Sequence, residues 1–368
     1  GSRQTGKTTL VQHILKNMNA AFLNFDVDVD KQRFAAAGKL EPSEAVKLFG
    51  NPKILVIDEA HRYPETGRIV KGWYDKHTEI KIILLGSSSL NILDQSAESL
   101  TGRNVKLHLP PLIFEEILQA QSWSSPQIPR KLFFRQFKEQ VDSLVLSSIV
   151  YGGYPEAATT GNKEDYLLNL TSDFLLKDIF QLGLIKNPET IKRLLLLLAH
   201  QVGSEASISE LANNLDTSRP TIEKYLDLLE RTYVIFRLPA FSSNLRKEIT
   251  KNQKIFCWDT GVRHALLKEF SLSPMRSDIG KLWENWVISE FAKKNLLSGN
   301  KANLYFWRTR DGSEIDLVIK HGGKLEAFEI KWSGARSRKG SPFTNRYNVP
   351  VIPINKDKID IIHKYFPL

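Results

Sequence analysis

The sequence predicts an α/β fold in several parts, and three observations carry that expectation. The first is the phosphate-loop pattern G-x-x-x-x-G-K-[ST], met by Gly1, Gly6, Lys7 and Thr8, with an apolar run that ends in acids, Ile54 to Glu59, further along. The second is the alternation of short apolar strands with helical patterns that follows the loop, which implies a parallel sheet wrapped by helices. The third is a set of acids and one lysine spread over a helix, a strand and its hairpin partner: Glu284, Asp316, Glu329 and Lys331.

The loop comes first along the chain. Backbone N–H groups of such a turn curl around phosphates, and glycine permits the turn where a side chain would clash. Gly1, Gly6, Lys7, Thr8 and Thr9 form the expected nucleotide contacts, with Lys7 on the β/γ-phosphates and the Thr8 hydroxyl on Mg²⁺. Thr8 to Asn17 reads as a helix and Ala21 to Phe25 as a strand. Asp58 closes the next strand where a carboxylate toward Mg²⁺ is needed, and Glu59 stands where a base polarises water. A phosphate loop ordinarily follows a buried strand, whereas this sequence opens at the loop's first glycine; loss of that strand would weaken nucleotide affinity. Ile80 to Leu85 is a further strand running into Gly86-Ser87-Ser88-Ser89. Ser87 and Ser88 read as sensors of the γ-phosphate, or as a turn that caps the next helix. Arg103, in Ser99-Leu100-Thr101-Gly102-Arg103, reads as an arginine finger between subunits or as a surface ion pair.

The expected boundaries are 1–112 for this domain, 113–186 for a helical lid, 187–260 for a winged helix and 261–368 for a second α/β domain. The lid carries a Gly-Pro turn, Tyr151-Gly152-Gly153-Tyr154-Pro155, at its hinge. In the third part Ser207 to Glu210 is a capping box, and Pro220 stands near the start of the following helix. Tyr233 to Phe241 and Lys254 to Trp258 then pair as a hairpin around Arg246 and Lys247. Helix, helix-turn-helix and hairpin in this order read as a winged helix. Thr217, Ser218, Arg219, Thr221 and Lys224 would face a DNA groove, unless the element packs on protein.

In the last part, Lys281 to Asn295 is expected as an amphipathic helix carrying Glu284. A strand from Asn303 to Arg308 and a hairpin turning at Gly322 and Gly323 follow. Strand period two places Glu329 and Lys331 on one face, and pairing brings Asp316 alongside. Glu284, Asp316 and Glu329 form a hard-oxygen metal set, with Lys331 orienting water or steadying a phosphate, the chemistry of metal-dependent phosphodiester cleavage. The competing expectation is a solvated charged hairpin. Lys331 to Lys364, with Trp332, Phe343 and Tyr347 interleaved, would track a phosphate backbone or form a basic surface.

Composition bounds the rest. At 368 residues, two or three domains are expected. With 51 basic against 41 acidic residues the net charge is +10, which suits a polyanionic partner such as DNA. Cys257 is the one cysteine, so an intrachain disulfide is excluded, which fits a reducing cytoplasm. No apolar run reaches the ~20 residues of a membrane span.

With these motifs in hand, the chain resembles a prokaryotic family of AAA-type ATPases with a C-terminal domain of unknown function on a restriction-endonuclease-like core. The resemblance runs through Gly1 to Leu10, Ile54 to Arg62, Leu84 to Leu90, Ser99 to Glu116, Tyr151 to Ala157, Gly280 to Glu290 and Glu314 to Ser333. Members of that family usually have proline where this chain has Ser2. The resemblance implies an AAA-like core, a winged-helix middle and a PD-(D/E)xK-like end. It also implies ATP and Mg²⁺ as cofactors at Lys7, Thr8, Asp58 and Glu59. The expected activity is an ATPase acting on DNA through a metal-dependent nuclease-like domain, as a homo-oligomer or with a protein partner and without a membrane. The rival expectations are a nucleotide-gated switch that docks on protein, and a degenerate ATPase that binds nucleotide poorly.

Overall fold

A computed structural model describes residues 2–76, 79–86, 102–125, 127–175, 187–242, 253–334 and 341–364. The chain divides into two compact units, Gly1–Leu109 and Pro110–Leu368.

In the first unit, helix α1 (Lys7–Leu15) leads to strand β1 (Ala20–Asn24), then α2 (Asp28–Ala37), α3 (Pro42–Lys47), β2 (Ile54–Asp58), α4 (Thr66–Asp75) and β3 (Lys81–Leu84). Helical crossovers make the strands parallel, in the order β1-β2-β3, with Asn24 beside Asp58 and Ile57 beside Leu84. Leu55, Val56 and Ile57 are all buried, as a strand covered on both faces requires. Period two sends Leu55 and Ile57 into a core with Phe25, Phe34 and Trp73, while Val56 meets Leu15 and Leu85 on the other face. This layering brings the carboxyl ends of β1 and β2 out side by side, Asn24 beside Asp58, with Asp26 two residues on.

The second unit starts with helices α5 (Phe114–Gln119), α6 (Arg130–Gln136), α7 (Lys138–Tyr151), α8 (Pro155–Thr159) and α9 (Lys163–Asn169). The chain goes on through α10 (Pro188–His200), β4 (Glu205–Ala206), α11 (Ile208–Asn214), α12 (Arg219–Arg231), β5 (Ile235–Leu238) and β6 (Gln253–Cys257). These strands form an antiparallel sheet in the order β4-β6-β5. Helices α13 (Thr260–Leu267) and α14 (Ile279–Leu297) precede β7 (Asn303–Arg308), β8 (Glu314–His321), β9 (Lys324–Ile330), α15 (Pro342–Tyr347) and β10 (Val351–Ile354). The last sheet is ordered β10-β9-β8-β7, antiparallel except for the β10–β9 pair.

Two features differ from the sequence expectations. The helices read as a lid share one core with the chain beyond them: Phe114, Phe133, Val145 and Ile149 pack with Phe236, Trp283, Phe291 and Phe328. The helix α14 is buried on every face from Asn285 to Asn295 instead of exposing a polar side. Its polar residues are spent inward. Glu290 accepts the Phe114 N–H at 2.7 Å and pairs with Lys293 at 3.0 Å. Asn285 clamps Cys257 by accepting its N–H at 2.8 Å and donating to its carbonyl at 3.0 Å, so β6 is held to α14 by backbone.

The turn at Gly152 is clamped. Gly152 adopts φ 71° and ψ −158°, a region open essentially to glycine alone. Asp259, buried beneath it, accepts the Gly153 N–H at 2.7 Å and caps α13 through the Val262 N–H at 3.2 Å.

Buried His264 is held between the Thr260 carbonyl at 2.7 Å and Arg276 at 3.2 Å. A carbonyl can only accept, so Nδ1 carries the proton and Nε2 accepts from the guanidinium. Burial pushes this imidazole down to about 3 from an ordinary 6.5, leaving it neutral. Between those values the unfolded chain binds more protons, so the contribution to stability is fully present above 6.5 and lost as pH falls toward 3. Urea unfolding at about pH 4.5 should show a loss of about 2.5 kcal/mol from this group relative to neutral pH. His264→Gln should flatten that slope; an unchanged slope would remove His264 as its source.

No described helix is long and apolar enough to cross a membrane.

Candidate functional site

The phosphate loop is built by local hydrogen bonds. Gly6, at φ 82°, lets the chain turn into α1, whose first residue is Lys7. The Thr5 hydroxyl donates to the Ser2 carbonyl at 3.1 Å, and the Lys7 ammonium folds onto the same carbonyl. The Thr8 hydroxyl donates to Asp58 Oδ2 at 2.7 Å, joining loop to strand across fifty positions, and Asp58 Oδ1 accepts the Glu59 N–H at 2.9 Å. Thr8 and Asp58 thus form a pair of hard oxygen donors beside a lysine, a set that fits Mg²⁺ with a phosphate ligand. Thr9 is exposed one residue on.

Glu59 is set apart from its neighbours. Its φ of 50° is left-handed, a conformation that a long side chain adopts at a cost. Burial raises its carboxyl above the usual range; Asp58 and Asp26 push the same way, and Arg3 and Lys7 oppose. Glu59 Oε2 lies 3.2 Å from His61 Nδ1, but the two meet off the hydrogen-bonding direction and both atoms stay buried without a hydrogen bond. His61 is pushed down by burial and by Arg62 and Arg3, so its ring is neutral and does not neutralise Glu59. A half-buried carboxylate next to Asp58, with Oε2 accepting no hydrogen bond, is placed to take a proton from water.

Arg103 forms an ion pair with Asp75 at 2.7 Å, the simpler of its two expected roles. Gly1, Ser87 and Ser88 lie outside the described residues.

In the second unit the expected metal set is altered. The carboxylates that converge, with ligand oxygens within 4.8 Å of one another, are Glu284 from α14 and Glu314 and Asp316 from β8. Glu314 takes the place expected for Glu329, because period two turns residues 314 and 316 to the same face. Glu329 is joined through Lys331, whose ammonium lies 3.4 Å from it and 3.3 Å from Asp316. Asp316 also accepts the Ile330 N–H at 2.6 Å, which ties β8 to the end of β9. Lys254, absent from the expected set, reaches in from β6. Its ammonium lies 2.9 Å from Glu284 and 2.5 Å from Glu314. Glu284 is pushed up to about 7, first by burial and then by Asp316, against the pull of Lys254. A divalent ion bridging Glu284 and Glu314 would compete with this ammonium for the same oxygens.

At the α11–α12 turn, Ser218 is spent as a helix cap, its oxygen accepting the Thr221 N–H at 3.3 Å. Arg219 and Lys224 are exposed and Thr217 and Thr221 half-buried, on a face that Glu223 and Asp227 also share.

Comparison with known proteins places these parts. Residues 1–118 match the family described as an AAA domain, which takes in the loop, Asp58 and Glu59. Residues 143–273 match a domain of unknown function (DUF8612), and 279–353 match another (DUF4143) that contains Glu284, Glu314, Asp316 and Lys331. An uncharacterized protein of Mycobacterium tuberculosis is 30% identical over 337 residues, covering 90% of this chain and 69% of its own length. An uncharacterized protein of Haemophilus influenzae is 27% identical over 362 residues, covering 90% and 82%. One from Methanocaldococcus jannaschii is 27% identical over 331 residues, covering 87% and 70%. The chain belongs to this family of AAA-type ATPases, in which an N-terminal AAA domain is followed by a C-terminal DUF4143 domain.

Proposed function

We propose that the chain binds ATP with Mg²⁺, hydrolyses it at the N-terminal site, and uses the nucleotide state to control DNA binding by the second unit. The observation that carries the first part is the 2.7 Å contact of Thr8 with Asp58, with the Glu59 Oε2 atom beside it accepting no hydrogen bond. Magnesium–ATP supplies the phosphoanhydride bond and a Lewis acid on its terminal oxygens. The chain does the rest. Lys7 places a positive charge over the loop, Thr8 and Asp58 offer oxygens to the ion, and Glu59 orients water and accepts its proton. In the second unit, α11, α12 and the β5–β6 hairpin act as a winged helix. Glu284 with β7 to β10 forms a restriction-endonuclease-like core that serves as a scaffold for binding. The net charge of +10 and exposed Arg219 and Lys224 support a DNA ligand. A second reading, docking on a protein partner, is favoured by the acids Glu223 and Asp227 on the same helix face.

One experiment separates these. Labelled-ATP binding and phosphate release are measured for wild type and Lys7→Ala, and duplex-DNA binding for wild type and Arg219→Glu/Lys224→Glu, with and without ATP. Lys7→Ala should lose nucleotide binding by at least about tenfold, the loss of one charge-assisted contact. Equal binding by both proteins would sink the nucleotide site. DNA binding that ignores the charge reversal would move the output to a protein partner.

A further inference from the structure

The acidic centre of the second unit already contains a cation. Lys254 is 4% exposed, a depth at which an ammonium is stable only when paired and desolvation is repaid by close charges. Here it has Glu284 at 2.9 Å, Glu314 at 2.5 Å and the Phe306 ring 5.6 Å away. Divalent ions hold carboxylate oxygens at about 2.0–2.6 Å, so the ammonium stands where an ion bridging these two residues would stand.

Its backbone is equally committed. Lys254 lies on the central strand of its sheet, opposite Glu205 of β4 and Leu238 of β5. A lysine on a loop could swing away to admit a metal; one paired on both sides is anchored at its Cα. Glu205 and Glu314 are further joined through Arg308, 2.7 Å from the first and 3.8 Å from the second. Positive groups therefore meet the acids from β6, from β7 and, through Lys331, from the end of β9.

We propose that Lys254 is the resident cation of this centre. The carboxylates that a metal-dependent nuclease would use are filled by a lysine from the neighbouring sheet, and the cluster joins β6 to α14 and β8. The centre then binds no divalent ion and cleaves no phosphodiester through one. This inference does not depend on ATP turnover or on DNA binding, because its readout is metal uptake by nucleotide-free protein.

The test is Mn²⁺ titration of the nucleotide-free chain, followed by the loss of free-ion EPR signal and by thermal unfolding. Wild type and Asp316→Asn should give the same titration up to about 1 mM, the range of weak protein–divalent sites. Lys254→Met should gain one Mn²⁺ site and rise in Tm with Mn²⁺, and Lys254→Met/Asp316→Asn should lose that site again. Mn²⁺ binding by wild type that disappears in Asp316→Asn overturns the proposal. So does a folded Lys254→Met protein that gains no site. Should Lys254→Met not fold, the comparison of wild type with Asp316→Asn decides by itself.

Discussion

Glu59→Gln should bind ATP as tightly as wild type and turn it over roughly 10²–10⁴-fold more slowly, the usual contribution of a positioned general base. Glutamine fills the same space and keeps the left-handed backbone at φ 50°, but its amide cannot take a proton. The residual contacts of Lys7, Thr8 and Asp58 are untouched, so affinity and rate separate. The pH profile gives an independent check. Only the ionised carboxylate works as a base, and burial holds the Glu59 carboxyl above its ordinary range. Turnover should therefore fall as pH drops, and it should do so at a higher pH than a solvated glutamate would give. Phosphate release at saturating ATP, beside equilibrium binding of labelled ATP, measures both. Turnover of Glu59→Gln within a few-fold of wild type would remove Glu59 from the role.

The largest effect on stability is expected at a residue with no chemistry. A methyl group at Gly152 would lie 1.9 Å from Asp259 Oδ1. The carboxylate cannot step aside, because its other oxygen holds the Gly153 N–H and it caps α13. Gly153 is confined in turn, with the space for a side chain ending 2.3 Å away at the Leu112 carbonyl. Gly152→Ala thus incurs the backbone cost of a glycine-only conformation, about 1–3 kcal/mol, and an overpacking cost of similar size. A loss of about 3 kcal/mol or more is expected. Urea unfolding followed through the tryptophans of the second unit, Trp283, Trp286 and Trp307 among them, would register it; a midpoint unchanged from wild type would contradict the clamp.

Features that depend on neighbours along the chain were legible in the sequence. The loop, the acid-ended strand and the β8–β9 hairpin are local patterns, and the structure has Lys7–Leu15, Ile54–Asp58 and the Gly322-Gly323 turn within a residue or two of expectation. Glu314 was also legible, since it stands two positions before Asp316 and so shares its face of the strand. His61 was not, because its bearing on Glu59 arises from a left-handed kink that no periodicity encodes. Lys254 was hidden for a deeper reason. A lysine on a strand is read as solvated, and only the meeting of β6 with α14 and β8 shows its charge to be buried against acids. The burial of α14 was concealed in the same way: Glu290, Lys293 and Lys294 look like a polar face until their distant partners, the Phe114 N–H, the Leu112 carbonyl and Glu115, are known.

That bond from Glu290 to the Phe114 N–H spans 176 positions and sits in a core drawing on residues from Phe114 to Ile362. Loop-closure entropy must be met before such contacts form, so the second unit is bound to fold slowly. At elongation rates of about 5–20 residues per second, α5 leaves the ribosome roughly ten seconds or more before α14 can cover it. The first unit, Gly1–Leu109, is compact by itself and has left the ribosome by then. Through synthesis, then, Phe114, Phe133 and Val145 are apolar surface awaiting a helix not yet made, so the second unit is the part of the molecule open to aggregation for longest.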